Sequence, residues 1–166
     1  MARIDYETSD RDDGYQGFEP LAKYIFGFNR AKAESGSQEV SMTSPVTTSD
    51  VPRQEIAMTT DVAGAGANLR RMEFTMPSKW TLETLPTPRD ERVKLVQTPE
   101  ETVAVITFNG QYPTGEGRTK KIAELLAAVK AAGLTPKDGA VPFINGYNAP
   151  VCLPYFKTND AGIAVQ

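Results

Sequence analysis

The chain has 166 residues, 40% of them hydrophobic, with 18 basic against 21 acidic side chains, a net charge of −3 and no histidine, which fits a single domain over residues 1–166. The charge balance argues against a nucleic-acid binder, which needs a clustered basic face, and the absence of His excludes Ser-His-Asp and Cys-His nucleophile systems, His-ligated zinc and His-ligated haem. The single cysteine, Cys152, excludes an intrachain disulfide, and no apolar run is long enough for membrane insertion.

Residues 1–13 read as a polar N-terminal segment ending in Ser9-Asp10-Arg11-Asp12-Asp13, without the apolar stretch of a secretory signal, so a cytoplasmic location is expected. Phe18, Leu21, Ala22 and Ile25 then recur at helical spacing, with Pro20 expected in the first turn and Gly27 as the stop. Val40-Ser41-Met42-Thr43-Ser44-Pro45-Val46 is echoed by Ile56-Ala57-Met58-Thr59-Thr60-Asp61-Val62, and each copy alternates as a half-buried strand does, with residues 47–54 as the turn between them. Met72, Phe74 and Met76 alternate in a third strand over residues 68–77, and residues 92–96 and 102–108 are again strand-like.

The strongest helical pattern follows. Thr119 is its expected N-cap, Ile122, Leu125, Leu126 and Val129 form one apolar stripe, and Gly133 supplies the stop. Residues 141–144 and 162–165 close the chain as short strands. The second half thus loosely repeats the first. This α+β order suits a curved, barrel-like surface made of two similar halves with a helix behind each, and the cleft between sheet and helices is the expected ligand site.

Four ordered motifs carry a resemblance. Leu21-Ala22-Lys23-Tyr24-Ile25-Phe26-Gly27-Phe28-Asn29, Met42-Thr43-Ser44-Pro45-Val46, Met76-Pro77-Ser78-Lys79-Trp80-Thr81-Leu82-Glu83-Thr84-Leu85-Pro86 and Gly146-Tyr147-Asn148-Ala149-Pro150 resemble the SOUL haem-binding protein family over nearly the whole chain. The resemblance implies a distorted antiparallel β-barrel of two similar halves with two flanking helices, related to GyrI-like domains. It also implies that haem or another tetrapyrrole binds in a shallow apolar groove beside the first helix. The family's opening strand, of Tyr-Glu-Val-Arg type, finds no match, so residues 1–9 are expected to enter at the family's second strand; either the barrel is short of one edge strand, an uncovered edge through which the chain would form homo-oligomers, or something else covers that edge. In the closing loop, Lys157 and Thr158 stand where the family has two arginines, which removes bidentate carboxylate recognition there.

The residues expected at a cofactor site are Phe18, Leu21, Ala22, Lys23, Ile25, Met42, Met58, Tyr147 and Cys152, each with a plain packing or surface role as its alternative. Lys23 offers a point charge to a propionate, and Met42 and Met58 offer thioethers from equivalent strand positions. Cys152, the only thiol, is the expected metal ligand. The leading expectation is a binding protein that buffers or transfers a tetrapyrrole, with a hydrophobic small molecule as its partner. The alternatives are a GyrI-like hydrolase or similar enzyme acting on a hydrophobic small molecule in the same cleft, through a Tyr/Glu pair or Cys152, and a module whose groove receives a partner's helix.

Overall fold

A computed structural model of the chain describes residues 1–8, 14–32, 36–51, 68–149 and 152–166. Nine strands and two helices follow one another as β1 (Ala2–Thr8), α1 (Tyr15–Ile25), β2 (Asn29–Arg30), β3 (Val46–Asp50), β4 (Asn68–Phe74), β5 (Thr87–Pro88), β6 (Lys94–Leu95), β7 (Val103–Asn109), α2 (Gly115–Ala131), β8 (Phe143–Gly146) and β9 (Thr158–Ala164). Seven of the strands form one sheet in the order β6-β1-β4-β3-β8-β9-β7, each antiparallel to its neighbours, and β2 pairs with β5 separately.

This order carries an internal two-fold. β1, α1, β3 and β4 make a β-α-β-β unit, β7, α2, β8 and β9 make a second, and the two meet where β3 pairs with β8. Directly opposed residues share a face of an antiparallel sheet. One row therefore runs Ile4, Met72, Thr48, Ile144, Ala161, Ile106 across six strands. Leu21, Tyr24 and Ile25 of α1 pack against the first-half end of this face, and Leu125 and Val129 of α2 against the second. Both helices thus lie on one side. The neighbouring row on the opposite face is polar: Arg3 bonds to Glu73 at 2.8 Å, Thr47 to Asn145 at 2.7 Å and Thr107 to Asp160 at 2.7 Å.

Several expectations are corrected. Residues 2–8 are a strand rather than part of a polar segment, because Ala2, Ile4 and Tyr6 alternate with charged residues and are buried against α1. β1 sits between β6 and β4, so the first strand is present, and the sheet ends at β6 and β7 instead of at an edge that a missing strand would leave. Among the described residues nothing pairs β6 with β7, so over these residues the sheet does not close into the expected barrel. The first Met-containing strand lies later than expected: β3 begins at Val46, directly after Pro45, which has no N–H to give to a ladder. Its expected copy, Met58 included, lies outside the described residues.

The helices also begin earlier than their sequence signals suggested. α1 starts at Tyr15, which puts Pro20 inside the helix, with its ring buried. α2 starts at Gly115 behind Thr114, so Thr119 is a helical residue and Arg118 belongs to the first turn. Asn29 ends α1's neighbourhood firmly. Fully buried, it donates to Tyr24 O at 2.7 Å and Gln38 O at 2.6 Å, and it accepts from Gln38 N at 2.9 Å.

Candidate functional site

Two concavities open on the helix-bearing side. The first is a shallow groove of about 470 Å³ along the outer surface of α1, walled by Phe18, Ala22 and Phe26 from the helix and by Phe28 beyond it, with Tyr15, Glu19 and Lys23 at its margins. Helical spacing makes this wall, since residues three and four apart share a face. Phe26 is 65% exposed, Tyr15 60% and Phe28 51%. Lys23 pairs with Glu19 at 2.8 Å, and that hydrogen bond raises its pKa above the ordinary lysine value. At the far end the guanidinium carbon of Arg89 lies 6.0 Å from the Phe28 ring centroid, held there by a 2.9 Å hydrogen bond from Nε to Asn29 O.

The second concavity is a cleft of about 590 Å³ between the start of α1 and the loop that leads into α2, floored by the central strands. Tyr6, Phe18, Met42, Val46 and Met72 give it an apolar wall, and Tyr112 and Tyr147 close it on the other half. Two glycines make room for these rings. A Cβ on Gly17 would stand 2.5 Å from Tyr6 Cε1, and one on Gly146 would stand 3.0 Å from Tyr112 Cδ2. Beside the cleft, on the same face of the sheet, Arg118 of α2 donates to Thr48 Oγ1 of β3 at 3.0 Å, and the Thr48 hydroxyl lies 2.5 Å from the Tyr112 hydroxyl. Tyr112 donates onward to Ile144 O at 3.3 Å, which leaves Thr48 as the donor to Tyr112. Burial lowers the pKa of Arg118, with the charge of Asp50 opposing the shift.

The expected site residues separate between these places. Phe18, Ala22 and Lys23 line the groove, with Phe18 shared by the cleft. Leu21 and Ile25 do not reach either surface: both are fully buried on the sheet-facing side of α1. Met42, 43% exposed, and Tyr147 line the cleft and not the groove. The Tyr147 hydroxyl donates to Asp160 Oδ2 at 2.6 Å, and burial, then that bond, raise its pKa, so its phenolate is disfavoured. Asp160 itself stands in the polar row of the opposite face, beside Thr107. Cys152 is half-buried, its N–H bonded to Ala149 O at 3.0 Å, and it lines neither concavity. Among the described residues no cluster of three His, Cys, Asp or Glu could hold a metal ion.

Sequence reasoning missed Phe26, Phe28 and Arg89 at the groove and Arg70, Arg118 and Lys157 at the cleft. Phe26 and Phe28 stood in the first quoted motif, and their position at the end of an apolar helix stripe was the available signal. Arg70 and Arg118 carry none, because only the fold brings them to the cleft, whereas Lys157 stood in the closing-loop motif.

A family model described as SOUL heme-binding protein matches residues 1–164. Among solved structures, that of an uncharacterized conserved protein from Listeria innocua is similar over 99% of this chain and 86% of that chain, with a TM-score of 0.65 and 17% sequence identity. At that identity the likeness is one of fold. No curated protein sequence matches the chain significantly.

Proposed function

Because the chain belongs to the SOUL heme-binding protein family, we propose that it binds haem or a related tetrapyrrole in the groove beside α1, without a histidine ligand. The observation that carries this reading is the exposed aromatic wall of Tyr15, Phe26 and Phe28 around a concavity of about 470 Å³. Large aromatic side chains grouped at a surface mark a place where a ligand completes the burial. A planar apolar ring system meets that need, and Lys23 and Arg89 at the margins offer cations to its carboxylates. Among the described residues no Met or Cys lines the groove, and Tyr15, Glu19 and Lys23 bear polar atoms at its margins, so the tetrapyrrole is held by packing and edge charge. Iron chemistry without a strong axial pair suits buffering or transfer better than redox turnover. For the hydrolase alternative, no Asp or Glu is among the described residues that line the cleft, and the carboxylate paired with Tyr147, Asp160, belongs to the polar row of the opposite face.

A haemin titration followed in the Soret band tests the proposal. Saturation at one haemin per chain is expected, with affinity falling at least about tenfold in a Phe26→Ser/Phe28→Ser variant and unchanged in Met42→Trp, which fills the cleft instead. Absence of a saturable Soret change, or loss confined to Met42→Trp, overturns the groove assignment.

A further inference from the structure

The two ends of the large sheet differ in kind. At one end β6 is two residues long, Lys94 and Leu95, and pairs with Ala2 and Arg3. A short, charged edge strand discourages further pairing. At the other end β7 runs for seven residues, Val103-Ala104-Val105-Ile106-Thr107-Phe108-Asn109, with no charge and no proline. Its register against β9 is unbroken from Val103 opposite Ala164 to Asn109 opposite Thr158. The bulge, lysine or proline that commonly blunts an edge is therefore missing from this one.

The ladder fixes which backbone groups are left over. Val165 N–H donates to Thr102 O at 2.9 Å, and Gly110 N–H donates to Lys157 O at 3.1 Å. Bonded and non-bonded pairs alternate in an antiparallel ladder, so the even-numbered residues of β7 bond to β9. The N–H and C=O groups of Val103, Val105, Thr107 and Asn109 then point out of the sheet edge, where no further strand lies among the described residues. Side chains are apolar on both faces. Ala104, Ile106 and Phe108 pack on the second core, whereas Val103 and Val105 are 44% and 48% exposed on the opposite face. There a Cβ on Gly162 would stand 2.4 Å from Phe143 Cζ and 3.1 Å from Val105 Cγ1, so Phe143 and Val105 meet over Gly162 in one apolar strip that runs to the edge.

The charges around β7 select its occupant. Glu100 and Glu101 stand exposed just before the strand, and Lys121 of α2 lies 4.9 Å from the Phe108 ring centroid near its end. Lys121 also pairs with Glu124, and Glu101 with Lys137, so these groups set orientation more than they add affinity. An edge that is acidic at its start, uncharged along its length and basic at its end complements its own antiparallel copy.

We infer that β7 pairs antiparallel with β7 of a second copy of this chain, about a two-fold axis at Val105, so that two sheets become one. Val105 opposes Val105 of the second copy, Val103 opposes its Thr107, and each of these pairs exchanges both of its outward hydrogen bonds. On the helix-bearing face Ala104 meets Ile106 of the second copy and Phe108 meets its Thr102, with its Glu100 two positions further on the Lys121 side.

Size-exclusion chromatography with light scattering on the full chain is expected to show a dimer. Val105→Lys sets two ammonium groups against each other on the axis and should weaken the dimer by about a hundredfold or more, and Val105→Glu should do the same. An equimolar mixture of the two variants should restore a mixed dimer, because the axis then places Lys against Glu. The exposure of Val105 lets both side chains reach water in the monomer, which circular dichroism checks. Should either variant fail to fold, amide hydrogen exchange of the wild-type protein decides: the Val105 amide should be protected in the dimer and lose that protection on dilution. A strict monomer up to millimolar concentration, which would leave the edge to another chain or to none, overturns the inference. So does a folded Val105→Lys that dimerises as tightly as the wild type, the absence of a mixed dimer, or a Val105 amide indifferent to dilution. Val105→Lys should bind haemin as the wild type does, since α1 packs at the other end of the sheet, so the outcome is independent of the groove.

Discussion

Tyr24 shows how one side chain ties helix, loop and pH response together. It is 1% exposed in the first core, and its phenol donates to Pro86 O at 3.0 Å, fastening α1 to the proline-rich segment. Burial pushes its ionisation up to about 12 from 10.0. A pKa raised on folding means that the native state holds the proton more tightly than the unfolded chain does. The associated stability is complete below the unfolded value and is lost as pH rises through the folded one. Stability should therefore decline between about pH 10 and 12, and Tyr24→Phe should flatten that decline. Tyr147 shifts in the same direction, so some slope remains in the variant. At neutral pH the substitution removes one hydrogen bond, for a loss of about 1 kcal/mol. Urea midpoints measured across the alkaline range check this, and identical slopes for the two proteins would contradict it.

α2 illustrates what patterning alone leaves open at the scale of an element. Leu125 and Leu126 stand side by side in its apolar stripe, yet Leu125 is fully buried against the second half of the sheet and Leu126 is 40% exposed. Leu125→Ala should cost about 2–5 kcal/mol and Leu126→Ala about 1 kcal/mol or less, read from denaturant unfolding. Equal losses would mean that the helix is rotated about its axis relative to the sheet. The existence of α1, α2, β4 and β7 was legible because their apolar residues recur at periods of 3.6 or 2 over many positions. The missed element, β1, also alternates. It was hidden because Arg3, Asp5 and Glu7 occupy one face and small Ala2 opens the other, so the segment reads as polar before its partners are known. The helix starts were illegible for a different reason: Gly14 caps α1 in the left-handed region at φ 76°, and Thr114 makes no capping bond, so neither start carries the usual side-chain signature.

Over the whole molecule, two β-α-β-β units share one sheet but keep separate cores, one around Phe74, Tyr24 and Leu21 and one around Leu125, Ile144 and Ala161. Both halves contribute to the cleft, which explains why its chemistry could not be read from any one segment. Arg70 and Lys157 are 87 positions apart and line one cleft because β3 pairs with β4 on one side and with β8 on the other, and β8 pairs with β9. The same pairing decides whether the halves unfold together. β3 and β8 are joined through Val46, Thr47, Thr48 and Ser49, and the Arg118 bond to Thr48 reaches from the second half's helix into the first half's strand. Removing Ile144, which is fully buried and directly opposite Thr48, opens a cavity at this seam, for a loss of about 2–5 kcal/mol. Trp80, the single tryptophan, packs against the first core and reports on that half alone. In Ile144→Ala the Trp80 fluorescence transition should therefore move to lower denaturant together with the far-ultraviolet circular dichroism transition, which sees both helices. A Trp80 transition that stays in place while the dichroism transition moves would show two independently unfolding halves, and the seam would then be a docking contact and not a shared fold.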